Sequence, residues 1–295
     1  MRVEGPVKPG LRMECADGRR LVLTQGAAPV LFARQRATHR GLHYARTGRY
    51  SSPFAPLRAE RARTVAEFAE PGSAEWSERW AAHAEVELRG AAEGPLHAGE
   101  WLLAPDVHRW FKAVNWPTLL THDPDRGHLT WFGYGDPVED ARDLLPLRAL
   151  SAPEAPRVKA NRRQFREGVL PPVFVWWISG LNSPVVLDGH DRLTAALAEG
   201  GRPEVLILAR AAGDSRGVAL LSARPVEEYE KRVAALEGPL AASRIAHQGR
   251  RLAAELRAIT SGYDLTRAWP FPGGAPAWDA AAATHVPGWA PDADR

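Results

Sequence analysis

The stretch Val185-Val186-Leu187-Asp188-Gly189-His190-Asp191-Arg192 carries the clearest structural signal in this chain. An apolar run of strand length precedes Asp188, and an alanine-rich helical pattern runs from Leu193 to Glu199. We call residues 188–192 the motif turn. A strand-to-helix turn of this composition brings backbone N–H groups and a guanidinium into one small volume, where a phosphate group is stabilised. The sequence therefore predicts an anion or nucleotide site here.

The composition is that of a globular protein. The 295 residues are 45% apolar and 25% charged, which allows one large domain or two to three small ones. The net charge is only +3, and arginine supplies nearly all of the positive charge. Arginine suits carboxylate and phosphate partners, but so mild an excess does not by itself indicate nucleic acid.

The sequence lacks a second cysteine and any long apolar segment, and each of these absences excludes a kind of structure. Cys15 is the only cysteine, which excludes an internal disulfide and a thiolate metal cluster. The first residues lack an apolar signal core, and no stretch approaches about 18 continuous apolar residues. We therefore expect a cytoplasmic protein without a membrane partner. The oligomeric state is not predicted.

The region 1–143 is predicted to be β-rich, and its role is unknown. A hairpin is expected where Leu11 to Leu23 alternates around Ala16-Asp17-Gly18. Val30-Leu31-Phe32 predicts a further strand. A second hairpin is predicted from Thr118–Thr121 and Leu129–Phe132, on either side of a turn at 122–128.

Four helices are expected outside the central unit. Ser73 is a candidate cap for the first, and proline stands in the first turn of the second. The last two form a helical extension, 214–262, before a Pro/Gly/Ala-rich tail, 263–295. The predicted helices are Ser73–Glu87, Pro105–Ala113, Pro225–Glu237 and Leu240–Thr260.

The segment 144–213 has the order strand, helix, strand, strand, helix, strand. Pro146 confines the first strand to a sheet edge. Ser151 and Glu154 have capping-box spacing, which predicts a helix from there to about Glu167, ended by Gly168. Alternating elements of this kind indicate a compact α+β unit.

The stretch Leu147 to Leu208 resembles the ParB/sulfiredoxin-like superfamily. The resemblance rests on Arg166-Glu167-Gly168, on Leu170-Pro171-Pro172, and on the motif turn followed by Leu193-Thr194-Ala195-Ala196. It covers roughly a fifth to a quarter of the chain. It implies a nucleotide phosphate site at the motif turn.

Members of that superfamily differ in chemistry, and the residues discriminate among them. Sulfiredoxins carry a cysteine in this turn, where Asp191 stands here, so sulfinic acid reduction is not expected. CTP switches of the ParB type need a later Glu-Asn-containing motif, and Glu227-Glu228-Tyr229-Glu230-Lys231 does not match it. Free-serine kinases use an Asp-Gly-His-x-Arg turn with the aspartate as general base, and this is the nearest chemical match.

The resemblance and the residue types give each member of the turn a role. Asp188 would be a base or a magnesium ligand, and His190 would donate to phosphate or shuttle a proton. Gly189, Asp191 and Arg192 would hold the phosphate, with Arg162 reaching the turn from the preceding helix. The expected cofactor is ATP, ADP or CTP, with or without Mg²⁺. Histidines near residues 39–43 and 122–128 lack spacing that ensures convergent ligands, so no metal site is predicted.

The motif turn, the function of the protein and the basic helix each have an alternative interpretation. In the simplest one, Asp188 caps the helix, Gly189 makes the turn and Arg192 pairs with Asp191 on the surface. The leading function is that of a phosphotransferase or nucleotide hydrolase. The competing function is that of a non-catalytic DNA-binding or protein-interaction module with the same fold, and a third possibility is a purely structural copy of the domain. The helix bearing Arg157, Lys159, Arg162, Arg163 and Arg166 would contact phosphates or form a solvated face; we favour the solvated face.

Overall fold

The computed structural model describes residues 1–36, 41–67, 69–105, 116–130, 144–211, 215–236, 241–260 and 265–290. Their strands are β1 Arg2–Val3, β2 Leu11–Cys15, β3 Arg20–Gln25, β4 Ala28–Gln35, β5 Gly41–Arg46, β6 Gly99–Ala104, β7 Arg126–Thr130, β8 Leu145–Pro146, β9 Val173–Ile178, β10 Ser183–Asp188, β11 Val205–Arg210 and β12 Ala268–Pro270. Their helices are α1 Ala59–Ala66, α2 Ala74–Gly90, α3 Trp116–Thr121, α4 Pro156–Arg166, α5 His190–Ala198, α6 Ser215–Ala234, α7 Ala241–Thr260 and α8 Gly274–His285. The fold is α+β, as predicted.

One six-stranded mixed sheet, which we call the motif sheet, has the order β1-β6-β11-β9-β10-β8. Strands β9 and β10 form an antiparallel hairpin, in which β11 pairs in parallel with β9 and β8 pairs in parallel with β10. All six residues of β9 are buried, which explains why its sequence is continuously apolar. The short strand β8 lies at the edge, where Pro146 was expected to confine it.

The other sheet, which we call the N-terminal sheet, has the order β12-β2-β3-β4-β5-β7. The predicted β2–β3 hairpin is confirmed, with Gly18 at φ +77° in its turn. Strand β12 pairs in parallel with β2, although 253 residues separate Cys15 from Ala268. The segment predicted as a tail thus supplies an edge strand to the N-terminal sheet.

The two sheets share one core, and helices cover their outer faces. Leu23 and Leu31 from the N-terminal sheet cluster with Trp176 and Val185 of the motif sheet, and with Trp80 of α2. On the opposite face of the motif sheet, Val175, Val186 and Ile207 pack under helices α3 and α5. The helices contribute Trp116, Leu119 and Leu193 to this cluster. On the outer face of the N-terminal sheet, α8 packs on β3 and β4.

The predicted hairpin at 118–121 and 129–132 is wrong. Residues Trp116–Thr121 form helix α3, and β7 pairs instead with β5. Leu119 is buried in the cluster that includes Leu193 of α5. Packing against α5 outweighs the weak strand preference of the two threonines, because strand propensity depends strongly on context.

The capping box at Ser151 and Glu154 is also wrong. Helix α4 begins at Pro156, and its N-cap, Ala155, makes no side-chain cap bond. Ser151 Oγ donates instead to Asp191 Oδ1 at 2.7 Å, and Glu154 pairs with Lys159. Proline is well suited to the first helical position and holds the residue before it in an extended conformation, so it sets the start of the helix.

Other helix boundaries follow the sequence to different degrees. Ser73 caps α2 by accepting a hydrogen bond from the Trp76 amide at 3.1 Å, as predicted. Helix α7 closely matches the predicted span, whereas α6 begins ten residues before Pro225 and continues through it. The predicted helix Pro105–Ala113 lies outside the described residues, apart from its first one.

Candidate functional site

The motif turn joins β10 directly to α5. Asp188 ends the strand, and Gly189 is the N-cap of the helix at φ +94°. The Leu193 amide donates to the Gly189 carbonyl at 2.8 Å, which starts the helical hydrogen bonding. A Cβ at position 189 would lie 2.8 Å from Arg192 Nη2, so both the backbone and the arginine require glycine.

Arg192 folds back over the motif turn and is almost completely buried. Its Nη2 donates to Asp188 Oδ2 at 2.9 Å, and its Nε donates to the Pro172 carbonyl at 3.2 Å. The guanidinium lies 5.8 Å from the centre of the Phe174 ring. Arg192 therefore pairs with Asp188 within the turn, and not with Asp191 as the simplest alternative supposed.

Asp188 has both carboxylate oxygens engaged. Its Oδ1 accepts from Ser52 Oγ at 2.8 Å, while Oδ2 accepts from Arg192. Ser52 belongs to the loop that follows β5 in the N-terminal sheet. A hydroxyl group that donates to Asp188 is thus already present in the chain.

We call residues 50–54 the wall loop, because they form one side of the site. Tyr50 Oη donates to the Leu187 carbonyl at 2.7 Å, and the Phe54 ring stacks on Phe174 at 4.7 Å. These residues were not predicted from the sequence, because residues 33–72 are irregular, rich in arginine and interrupted by glycine and proline. The available signal was the alternation Tyr50, Ser52, Phe54, which places three side chains on one side of an extended segment.

His190 lies inside the core at 1% exposure. Its Nε2 accepts a hydrogen bond of 3.4 Å from the Arg148 amide, and its ring lies 6.1 Å from that of Tyr50. Burial lowers the pKa of His190 well below its ordinary value, and the charges of Arg148, Arg46 and Arg192 lower it further. The imidazole is therefore neutral, and the main chain occupies one of its nitrogens.

Of the two remaining predicted site residues, Asp191 lies in the motif turn, whereas Arg162 lies away from it. Asp191 accepts from Ser151 Oγ, and its Oδ2 lies 3.5 Å from Arg148 Nη2. Arg162 Nε donates to Glu199 at 2.6 Å, just beyond the end of α5. That helix is about 13 Å long, so the contact lies at the far end from the motif turn.

The basic helix α4 carries paired charges. Lys159 pairs with Glu154, Arg163 with Glu167, and both Arg162 and Arg166 with Glu199. Most of these side chains are exposed, so each pair contributes little to stability. The pairing nevertheless reduces the local positive potential, in agreement with the solvated face that we favoured.

No group of three or more histidine, cysteine, aspartate or glutamate side chains converges as a metal site within the described residues. In that same part of the chain, no helix combines the length and apolarity needed to cross a membrane. The carboxylates of the motif turn, Asp188 and Asp191, both accept hydrogen bonds from protein side chains.

The chain matches no protein-family model, no curated protein and no solved structure.

Proposed function

We propose that this chain is a ParB/sulfiredoxin-like protein that binds a nucleotide or another phosphorylated small molecule at the motif turn. The observation that carries the proposal is the position of Arg192, which lies across the first turn of α5 and pairs with Asp188. An arginine fork and a helix N-terminus at one glycine turn provide two recognised ways of stabilising a phosphate.

The hydrogen bonds of Arg192 are compatible with the replacement of Asp188 by a ligand phosphate. The bond from its Nε to the Pro172 carbonyl holds the side chain independently of Asp188. A phosphate can therefore replace Asp188 as acceptor for Nη2 without loss of the anchor. The first backbone N–H groups of α5 have no partner within the helix and would donate to the same phosphate.

The ligand would lie on the surface of the turn. Ser52 also lines an open depression of about 450 Å³ together with Pro53 and Glu93, and none of the motif-turn residues lines it. The phosphate would thus bind at the turn, and the remainder of the ligand would extend along the wall loop.

The surroundings of Asp188 favour phosphoryl transfer or nucleotide hydrolysis if the protein is an enzyme. The 2.8 Å bond from Ser52 Oγ marks a position from which a hydroxyl donates to Asp188 Oδ1. A substrate hydroxyl or a water molecule that took that position in place of Ser52 would give its proton to Asp188 as its oxygen attacks the terminal phosphorus atom. The bond from that phosphorus to its bridging oxygen would break, and the remainder of the nucleotide would leave. Mg²⁺ bound to the phosphates would offset their charge near Asp188.

The local architecture also supports the superfamily assignment. The β9–β10 hairpin, α5 and the parallel strand β11 follow one another as the resemblance implies, and α4 packs against α5. The N-terminal half adds β6 and β1 to the same sheet, beyond the stretch that carries the resemblance.

Calorimetry tests the binding site directly. ATP, ADP and CTP are titrated with and without Mg²⁺ into the wild type, into Arg192→Gln and into Arg166→Gln. Arg166 is an exposed arginine paired with Glu199, so Arg166→Gln is the matched control. We expect Arg192→Gln to weaken binding about tenfold or more, since a charge-assisted bond is lost, and the control to bind normally. No heat with any nucleotide would sink the proposal.

Turnover assays separate the enzyme from the binding module. If the protein hydrolyses or transfers phosphate, Asp188→Asn should still bind nucleotide but lose turnover. Unchanged turnover would remove Asp188 as the base. Salt-dependent DNA binding that Arg192→Gln leaves intact would instead favour the non-catalytic DNA-binding alternative.

A further inference from the structure

A second candidate site lies on the outer face of the N-terminal sheet, far in sequence from the motif turn. Beside α8 this face bears a groove of about 300 Å³. The residues of the groove that matter here are Lys8, Arg12, Glu14, Thr24, Phe32 and His285. The volume is at the small end of the range for ligand pockets.

A buried carboxylate organises the polar side of the groove. Glu14 is 3% exposed, although its side chain lies on the outer face of the sheet. Lys8 Nζ and Arg12 Nε both bind its Oε1, at 2.9 and 2.8 Å, and Thr24 Oγ1 donates to Oε2. Burial raises the pKa of Glu14, but the bonds from Lys8 and Arg12 outweigh this and hold that pKa below its ordinary value.

Lys8 and Arg12 both have N–H groups that do not bind Glu14. Among the described residues that line the groove, Glu14 is the only acidic one, so Lys8 and Arg12 leave one positive charge in excess. The Lys8 ammonium has three N–H groups and is 45% exposed. Arg12 uses Nε for Glu14 and Nη1 for the carbonyls of Gly10 and Gly26, and within the described chain Nη2 has no acceptor.

The opposite side of the groove is aromatic. The Phe32 and His285 rings are stacked with centroids 6.3 Å apart and planes at 23°. Phe271 and Ala281 line the groove beside them. A flat apolar body fits such a wall, whereas a fully hydrated inorganic anion gains nothing from it.

We infer that this groove binds a small aromatic carboxylate. The carboxylate of the ligand lies between Lys8 Nζ and Arg12 Nη2. Its ring lies against Phe271 and against His285, which stacks on the fully buried Phe32. The site is independent of the phosphate ligand proposed for the motif turn, because no residue is shared between them.

Benzoate is the probe that tests the inference. It is titrated calorimetrically into the full chain, with benzamide as its neutral counterpart and inorganic phosphate as an anion without a ring. We expect benzoate to bind with a Kd at or below about 1 mM, equivalent to about −4 kcal/mol, and the other two compounds to bind at least about tenfold more weakly, a difference of about 1.4 kcal/mol.

Two variants locate the bound molecule. Lys8→Gln should weaken benzoate binding at least about fivefold through loss of a charged donor, while Lys159→Gln, an exposed lysine paired with Glu154, should not change it. His285→Ala should also weaken benzoate binding, because it removes the imidazole ring against which the ring of benzoate packs. Thermal unfolding of each variant confirms that it is folded.

Several outcomes overturn the inference. Absence of saturable benzoate binding up to about 10 mM excludes the site. Equal binding of benzamide contradicts the role of charge, and equal binding of phosphate contradicts the aromatic wall. Normal binding by folded Lys8→Gln places any bound benzoate elsewhere.

Discussion

The buried hydroxyl of Tyr50 donates a 2.7 Å hydrogen bond to the main-chain carbonyl of Leu187, one residue before the motif turn. This bond connects the wall loop, from the N-terminal half, to the strand that presents Asp188. Burial, and then the charge of Asp188, raise the pKa of Tyr50 well above its ordinary value, so the donor proton is retained. The position of the motif turn thus depends on a residue about 140 positions earlier in the chain.

Tyr50→Phe should lower the free energy of unfolding by about 1–2 kcal/mol, because the buried Leu187 carbonyl loses its side-chain donor. Equilibrium urea denaturation measures the change. Tyr229→Phe, on helix α6, is the matched control and should differ from wild type by less than about 0.5 kcal/mol. A Tyr50→Phe protein as stable as the control would show that the bond contributes nothing.

Gly189→Ala should destabilise the protein and displace Arg192. The new Cβ would lie 2.8 Å from Nη2 and 3.0 Å from Nε, at a φ of +94°. Gly200→Ala is an instructive control, because Gly200 has φ +72° and open space around its Cβ position. Both variants should lose about 1 kcal/mol or more to backbone strain. Only Gly189→Ala should also weaken nucleotide binding; equal effects of the two on binding would contradict the role of Arg192.

Arg46→Met should be the most destabilising of these substitutions. The Arg46 guanidinium, whose side chain is 1% exposed, binds the Asp123 and Asp125 carboxylates and the Pro146 and Arg148 carbonyls. Removing one partner of a buried ion pair costs about 3–5 kcal/mol. Arg89→Met breaks an exposed pair with Glu85 and should cost less than about 1 kcal/mol by the same denaturation measurement. A small loss for Arg46→Met would show that its partners find other donors.

Acid should destabilise the protein partly through His190. The pKa of its imidazole is well below the ordinary value in the folded state, so below about pH 6.5 the unfolded chain binds one more proton. The free energy of unfolding then falls as the pH decreases, at up to about 1.4 kcal/mol per pH unit from this residue.

Denaturation at several pH values between about 7 and 5 tests this contribution. His190→Gln retains an acceptor for the Arg148 amide but does not titrate, so its stability should depend less on pH than that of the wild type. His247→Gln, at an exposed position on α7, should keep the wild-type dependence. If the free energy of unfolding of His190→Gln fell with decreasing pH as steeply as that of the wild type, His190 would not contribute to the acid sensitivity.

Local signals in the sequence predicted the elements around the motif turn well. Strands β9, β10 and β11 and helix α5 follow from apolar runs, turn chemistry and helical spacing over a few residues. These patterns were sufficient because the spacing of apolar residues within each element already identifies the face that it buries.

The partners of the site residues were not predictable in the same way. The bonds of Ser52 to Asp188 and of Ser151 to Asp191 form between residues that only the tertiary fold brings together. Arg162 was expected to reach the turn from the preceding helix, but the rotation of α4 on α5 directs it to Glu199. Residue types alone do not specify such rotations.

The order of strands in the motif sheet also determines when the protein can fold. Strand β11 lies between β6 and β9, so β6 remains an unpaired edge until residues 205–210 have been synthesised. At typical elongation rates that interval of about 100 residues lasts roughly 5–20 s. Throughout it, the apolar edge formed by Trp101, Leu102 and Leu103 is open to pairing with other chains. A nascent chain of this protein therefore remains open to edge-to-edge pairing at β6 until residues 205–210 have been synthesised.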